Sequence, residues 1–432
     1  MKRNVMMEIP KITTISLLLI WITGVTYSQG FYKDLFIDGG NKLTSIGHLP
    51  AADLLDLTVE YYVSSRYKSA LPSTYMDSII QKKLLCGYPE DLNGLLLYPD
   101  GEPRFRLLYV NGGKAANHGE SLGELGRARI REFVKNGGSY VGTCAGAFIA
   151  SSATVRADTV FPRNNYLNIW PGITRGTGLY NGHTGMVVVR DSPLTNYYYF
   201  GDGFYIDSLR HNGGCYAYDD LQLPEHTEVL MRYDFNTKIN GKSIDNKVSA
   251  WAYKSNLEAG RVVLIGSHPE TVTSGDRLYL MAAMMRYALD GNGDPTLKGE
   301  LINGRKRTMY KSTRDNNPDS TMIGDKQYHH FKIEIPPNTK VLDIILEGDN
   351  SFDIFLYIRK GDFAFKTEAD YVYLSKGVDK TIHIDNPEEG TWFVGVECNT
   401  TVDVIKTSWG YEYTGDLDVL NGVPYSIRAS WE

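Results

Sequence analysis

Gly142-Thr-Cys-Ala-Gly146 sets Cys144 between two glycines, where the apolar run Ser139-Tyr-Val-Gly142 gives way to a helical pattern beginning at Ala145. A cysteine that only fills a core needs no glycine two residues away on each side. A Gly-x-nucleophile-x-Gly turn does, because neighbouring chains approach closely there and the strained backbone presents one side chain. The N-terminus of the following helix favours a thiolate. The Ala145 amide is then aimed at an oxyanion, and a second donor is expected from Gly112 or Gly113, which end the apolar run Arg106-Leu-Leu-Tyr-Val110. The two glycine signals lie about thirty residues apart, the length of one strand–helix–strand unit.

A thiolate nucleophile needs a proton shuttle. Residues 261–270 read RVVLIGSHPE, so His268 directly follows an apolar strand and is expected at the carboxyl edge of the sheet. Glu270 lies two residues on, with Pro269 stiffening the spacer. An imidazole oriented by a carboxylate is the usual partner set for a cysteine nucleophile. Asn212-Gly213-Gly214 is either a loop that meets substrate or a tight turn. His118 and His183 read as solvated loop histidines, and Cys215 as a structural thiol.

These side chains need a sheet to hold them. Residues 29–292 alternate apolar strand-like runs with helical patterns, which predicts an α/β domain. Ser121 and Glu124 form a Ser-x-x-Glu capping box ahead of a helix whose apolar face is Leu122, Leu125, Ile130 and Phe133. Trp251–Lys254 and Arg261–Gly266 read as paired strands, and a helix from about Ser274 to Leu289 closes the unit. The breaker cluster Gly291-Asn-Gly-Asp-Pro295 follows. Residues 299–432 then show only short alternating runs, which predicts an all-β sandwich with a core of its own that is detachable near Pro295. Carboxylates in Glu347–Asp353 read as solvated turn acids.

Composition narrows the function. The chain has 432 residues, 42% hydrophobic and 22% charged, with a net charge of -6. No basic stripe is interleaved with aromatics, so nucleic acid is not an expected partner. Lys2, Arg3 and Lys11 precede the apolar run Ile15–Val25, and small residues end at Ser28: residues 1–28 read as a secretory signal, and stable membrane insertion is not expected. The four cysteines, Cys86, Cys144, Cys215 and Cys398, are too widely spaced for a zinc site or a disulfide framework. Neither a cofactor nor a metal is called for.

Gly142–Gly146 together with His268-Pro-Glu270 resembles the class I glutamine amidotransferase-like superfamily. More closely, Tyr109–Glu270 resembles the domain at the N-terminus of certain biotin-protein ligases. Gly112-Gly113, Gly137–Ala147, Trp170-Pro-Gly172 with Gly176, and Asn212–Gly214 occur in order ahead of His-Pro-Glu. The resemblance implies a flavodoxin-like sheet with a nucleophile elbow, and a triad of Cys144 as nucleophile, His268 as base and Glu270 as orienter. Gly112, Gly113, Ala145, Asn212 and Gly213 would serve the oxyanion and substrate. Glutamine-hydrolysing members carry Gln where this chain has Phe148, which points away from glutamine as substrate.

Phe352–Arg359 and Pro387–Val396 resemble the bacterial pre-peptidase C-terminal domain, a jelly-roll-like sandwich appended to secreted hydrolases. The expectation is an exported cysteine-dependent hydrolase or acyl-transfer enzyme. It would act on an amide of a small molecule or peptide through a thioester, with the β-sandwich meeting a cell-surface or extracellular polymer. The alternative is a non-catalytic extracellular binding protein that retains the pocket.

Overall fold

A computed structural model describes residues 30–38, 49–61, 93–219, 221–315, 317–407 and 410–432. The secretory-signal expectation and Cys86 lie outside the described residues. Among the described residues no helix is long and apolar enough to cross a membrane.

The first unit is built on an eleven-stranded mixed sheet. Its strands are β1 (Lys33–Ile37), β2 (Val59–Tyr61), β3 (Phe105–Val110), β4 (Ser139–Thr143), β5 (Ala153–Arg156), β6 (Thr159–Pro162), β7 (Ile173–Val188), β8 (Tyr205–Ala217), β9 (Thr227–Asp234), β10 (Val248–Tyr253) and β11 (Val262–Ile265). The order is β2-β1-β3-β4-β11-β10-β8-β7-β5-β6, with β9 beside β10 and β7. From β2 to β11 neighbouring strands run parallel. At β10 the direction reverses, because the short turn from β10 to β11 leaves no room for a crossover and forces an antiparallel pair. The parallel strands carry near-continuous apolar residues: β3 and β11 are buried almost throughout, as a sheet covered on both faces requires.

Among the described residues the α-helices are α1 (Pro50–Leu54), α2 (Ala115–Lys135), α3 (Ala145–Ala150) and α4 (Asp276–Leu289). α4 buries Leu278, Met281, Met285 and Leu289, and also Leu280, Met284 and Ala288, so it is enclosed on most sides. α2 departs from the sequence expectation. It begins at Ala115, and the Ser121 hydroxyl donates to the His118 carbonyl rather than capping an N-terminus. A break falls at Gly123 (φ 64, ψ 179), and Glu124 pairs instead with Arg127 and Arg131. Leu125 consequently points outward, 63% exposed, while Leu122, Ile130 and Phe133 are buried.

After residue 296 the chain is β-rich. One five-stranded sheet contains Tyr328–Ile335, Ile354–Lys360 and Gly390–Cys398; a four-stranded sheet contains Val341–Gly348, Lys380–Asp385 and Tyr425–Trp431. Phe331, Leu356 and Val394 of the first sheet share a core with Leu342, Ile384 and Ile427 of the second. The turn acids are used locally: Asp349 accepts from the Ser351 amide, and Asp353 from the Gly377 amide.

The expected separate cores are not found. Phe36, Leu97 and Phe105 of the first unit belong to the same apolar cluster as Leu301, Met309 and Ile323 of the second. The junction also holds buried polar pairs. Arg104 reaches Asp325 at 3.0 Å, Lys298 reaches Asp100 at 2.6 Å, and the Tyr98 hydroxyl donates to the Asp325 carbonyl at 2.9 Å. Breaker residues at Gly291–Pro295 mark a change of periodicity, but periodicity does not report which faces later close on one another.

Candidate functional site

The parallel register decides the site. Val110 of β3 lies opposite Gly142 of β4, and Thr143 of β4 opposite Ile265 of β11, so the three strands end at one edge. The residues that follow are Gly112-Gly113, Cys144 and His268. Open α/β sheets place ligands at this carboxyl edge.

Cys144 adopts φ 49, ψ -104, a sparsely populated conformation for a side-chain-bearing residue. Its amide donates to the Ile265 carbonyl at 2.9 Å. The turn closes only because Gly146 is bare: a β-carbon there would lie 2.0 Å from the Val110 carbonyl oxygen. The Tyr140 hydroxyl donates to the Gly146 carbonyl at 2.8 Å and ties α3 back to β4. Strain therefore does not thrust the thiol into solvent, as the motif suggested. Cys144 is 4% exposed and borders the floor of a cleft.

The cleft has a volume of about 1220 Å³. Gly112, Gly113, Cys144, Ala145, Asn212, Gly213, His268 and Glu270 all line it, so every site residue expected from the sequence meets the same space. Phe148 is also on its wall.

His268 is fixed by its surroundings. Its amide donates to the Arg210 carbonyl of β8 at 2.9 Å, and its Nδ1 pairs with Glu270 Oε1 at 2.8 Å. A carboxylate only accepts, so Nδ1 carries the proton and Nε2 is left for the cleft. Glu270 is buried, and its Oε2 has no hydrogen-bond partner. Burial works against a charged imidazole here. The neighbouring Cys144, and then Glu270, outweigh burial and raise the His268 pKa to about 10. Nε2 has no hydrogen bond of standard geometry, yet Cys144 is the first of the groups that raise the pKa of the ring. Unliganded sites are often loose in this way.

Other expected residues fall elsewhere. His118 is not a solvated loop histidine: it lies in α2, 2% exposed, with Nε2 2.7 Å from Asp38 Oδ2. The helix begins earlier than the capping pattern implied, which turns this residue inward. His183 lies in β7, opposite Arg210. Cys215 is fully buried beneath Cys144, its Sγ 3.9 Å from the Cys144 carbonyl, and burial followed by the nearby Cys144 raises its pKa well above the usual thiol value. Cys144, Cys215 and Cys398 are free thiols. No group of three or more potential metal ligands occurs among the described residues.

Sequence reasoning missed the basic side chains of the cleft. Arg156, Arg163, Arg175 and Lys242 come from separate strands and loops, at no recognisable spacing. It also missed Tyr109, whose hydroxyl pairs with Thr143 Oγ1 at 3.1 Å behind Cys144.

Comparison with known proteins bears on residues 101–281, which match the family model "Biotin-protein ligase, N terminal". A biotin–protein ligase of Schizosaccharomyces pombe is 25% identical over 296 residues, 59% of this chain; the chain spans 44% of that protein's length. A crystal structure of a glutamine amidotransferase matches at 18% identity and TM-score 0.30, covering 43% of this chain and 80% of that one. The pre-peptidase C-terminal domain of a collagenase from Bacillus anthracis matches at 8% identity and TM-score 0.18, covering 32% of this chain and 100% of that one. Residues 101–281 are therefore similar to the N-terminal domain of biotin-protein ligases.

Proposed function

We propose that this protein is an exported cysteine-dependent hydrolase or acyl-transfer enzyme acting on an amide, with Cys144 on a nucleophile elbow as nucleophile, His268 as acid and base, and Glu270 as orienter. The observation that carries the reading is the convergence of Cys144 and the Glu270-bound imidazole of His268 on one cleft wall, against Gly112. The Cys144 thiolate attacks the amide carbonyl while the oxyanion faces the amides of Ala145 and Gly112 or Gly113. The C–N bond breaks, His268 gives its proton to the departing amine, and a thioester remains on Cys144. Water then gives a proton to His268, its oxygen attacks the thioester, and the carboxylic acid leaves as the thiol is restored. With an amine in place of water, the second half is acyl transfer. The β-rich segment, jelly-roll-like, would serve attachment outside the cell.

One observation favours a second reading, a non-catalytic extracellular binding protein that retains the pocket: Nε2 of His268 has no hydrogen bond of standard geometry. Incubation with an activated thioester, followed by mass mapping, separates the two. Acylation at Cys144 that is lost in His268→Gln supports the enzyme. Absence of acylation, together with a Cys144 inert to iodoacetamide at neutral pH, sinks it.

A further inference from the structure

The protein carries a net charge of -6, yet the cleft is basic. Lys114, Arg156, Arg163, Arg175, Arg210 and Lys242 line it, against one carboxylate on the same wall, Glu270, which is engaged by His268. Asp158, just outside, is shared by Arg175 at 2.8 Å and Lys242 at 3.4 Å. Two of the guanidinium groups are held in place. Arg163, on the cleft wall, donates through Nε to Thr154 Oγ1 at 2.9 Å and lies over the Tyr166 ring at 5.8 Å. Arg175 lies over the Tyr218 ring at 5.6 Å. An arginine whose stem and Nε are already fixed presents a fork matched to a carboxylate and loses little freedom on binding. A concave basic surface on an acidic protein also draws anions toward its floor.

We infer that the cleft takes an acidic peptide, a chain segment with carboxylates on both sides of the amide presented to Cys144. The inference rests on the acyl-transfer reading for that amide: a phosphate ester would satisfy the arginines but offer the thiol no acyl group. The cleft volume of about 1220 Å³ exceeds what one small ligand fills, roughly 300–1,000 Å³, and suits several residues.

The test uses the full chain and two blocked peptides carrying an uncharged dye, tetraglutamate amide and tetraglutamine amide, with binding read by anisotropy. Tetraglutamate is expected to bind at least about tenfold more tightly than tetraglutamine, and to weaken as salt screens the cleft. Arg163→Gln with Arg175→Gln should reduce its affinity about tenfold, and Arg163→Lys with Arg175→Lys should recover part of that loss. Equal binding of the two peptides, or salt-independent binding by the unsubstituted protein, overturns the inference without any variant. Iodoacetamide labelling of Cys144 is scored separately. A thiol that reacts while tetraglutamate shows no preference keeps the acyl-transfer reading and removes the acidic peptide. An inert thiol with selective, salt-sensitive tetraglutamate binding removes the enzyme and keeps the acidic ligand.

Discussion

The imidazole of His268 stands against the bare backbone of Gly112. A β-carbon at position 112 would lie 2.3 Å from Cε1 and 3.0 Å from Nδ1. The ring has little freedom to retreat, since its amide is bonded to Arg210 and its Nδ1 to Glu270. A glycine separated from the histidine by more than 150 residues of chain thus helps fix where the proposed base sits.

Gly112→Ala is therefore expected to displace His268 and cut Cys144 alkylation at neutral pH by about tenfold or more, with a stability loss of about 1–3 kcal/mol from overpacking. Alkylation rates beside urea unfolding curves check this. Unchanged reactivity would mean the ring position does not matter to the thiol.

Cys144→Ala should abolish thioester formation. His268→Gln should lower turnover by about 10²–10⁴, the usual range for a lost general acid–base. Glu270→Gln should cost less, because an amide oxygen still accepts from Nδ1 while the stabilising charge is lost. Steady-state rates on the best thioester substrate rank the three, and an order with Glu270→Gln worst would reassign Glu270.

The pH dependence has a definite sign. A free histidine titrates near 6.5. In the fold, burial opposes the charge, but Cys144 and Glu270 prevail and raise the pKa to about 10. The folded state therefore holds the proton more tightly. This stabilisation is fully present below about pH 6.5 and is lost as the pH climbs through about 10. The difference in thermal midpoint between the unsubstituted protein and His268→Gln should be larger near pH 6 than near pH 10. A difference that grows with pH would show that the imidazole is not held protonated.

At the junction of the two units, Arg104 and Asp325 are both buried and face each other at 3.0 Å. Asp325→Ala removes the buried carboxylate that faces the guanidinium and should cost about 3–5 kcal/mol, read from urea unfolding. A chain ended at Pro295 should aggregate, because it exposes its part of the shared core and leaves Asp100 without Lys298. A soluble, cooperative fragment with a reactive Cys144 would show that the junction is dispensable.

The local structure around the candidate site was legible in the sequence. The elbow glycines, the apolar runs of β3, β4 and β11, and the short spacer in His268-Pro-Glu270 are constraints between near neighbours, so spacing alone records them. The C-terminal switch to alternation was equally visible, since a strand with one buried face repeats every two residues. Only the tertiary structure decided the rest. His118 turned inward because α2 already begins at Ala115, and it meets Asp38, the residue just after β1. Arg163 and Arg175 reached the same cleft because β5 pairs with both β6 and β7. Arg104 and Asp325 met because the two units close on one core. Each of these joins residues far apart in the chain, and no local period encodes which distant face an element will cover. The sequence specified which residues sit at strand ends, and the packing of those strands specified which ends share a cleft.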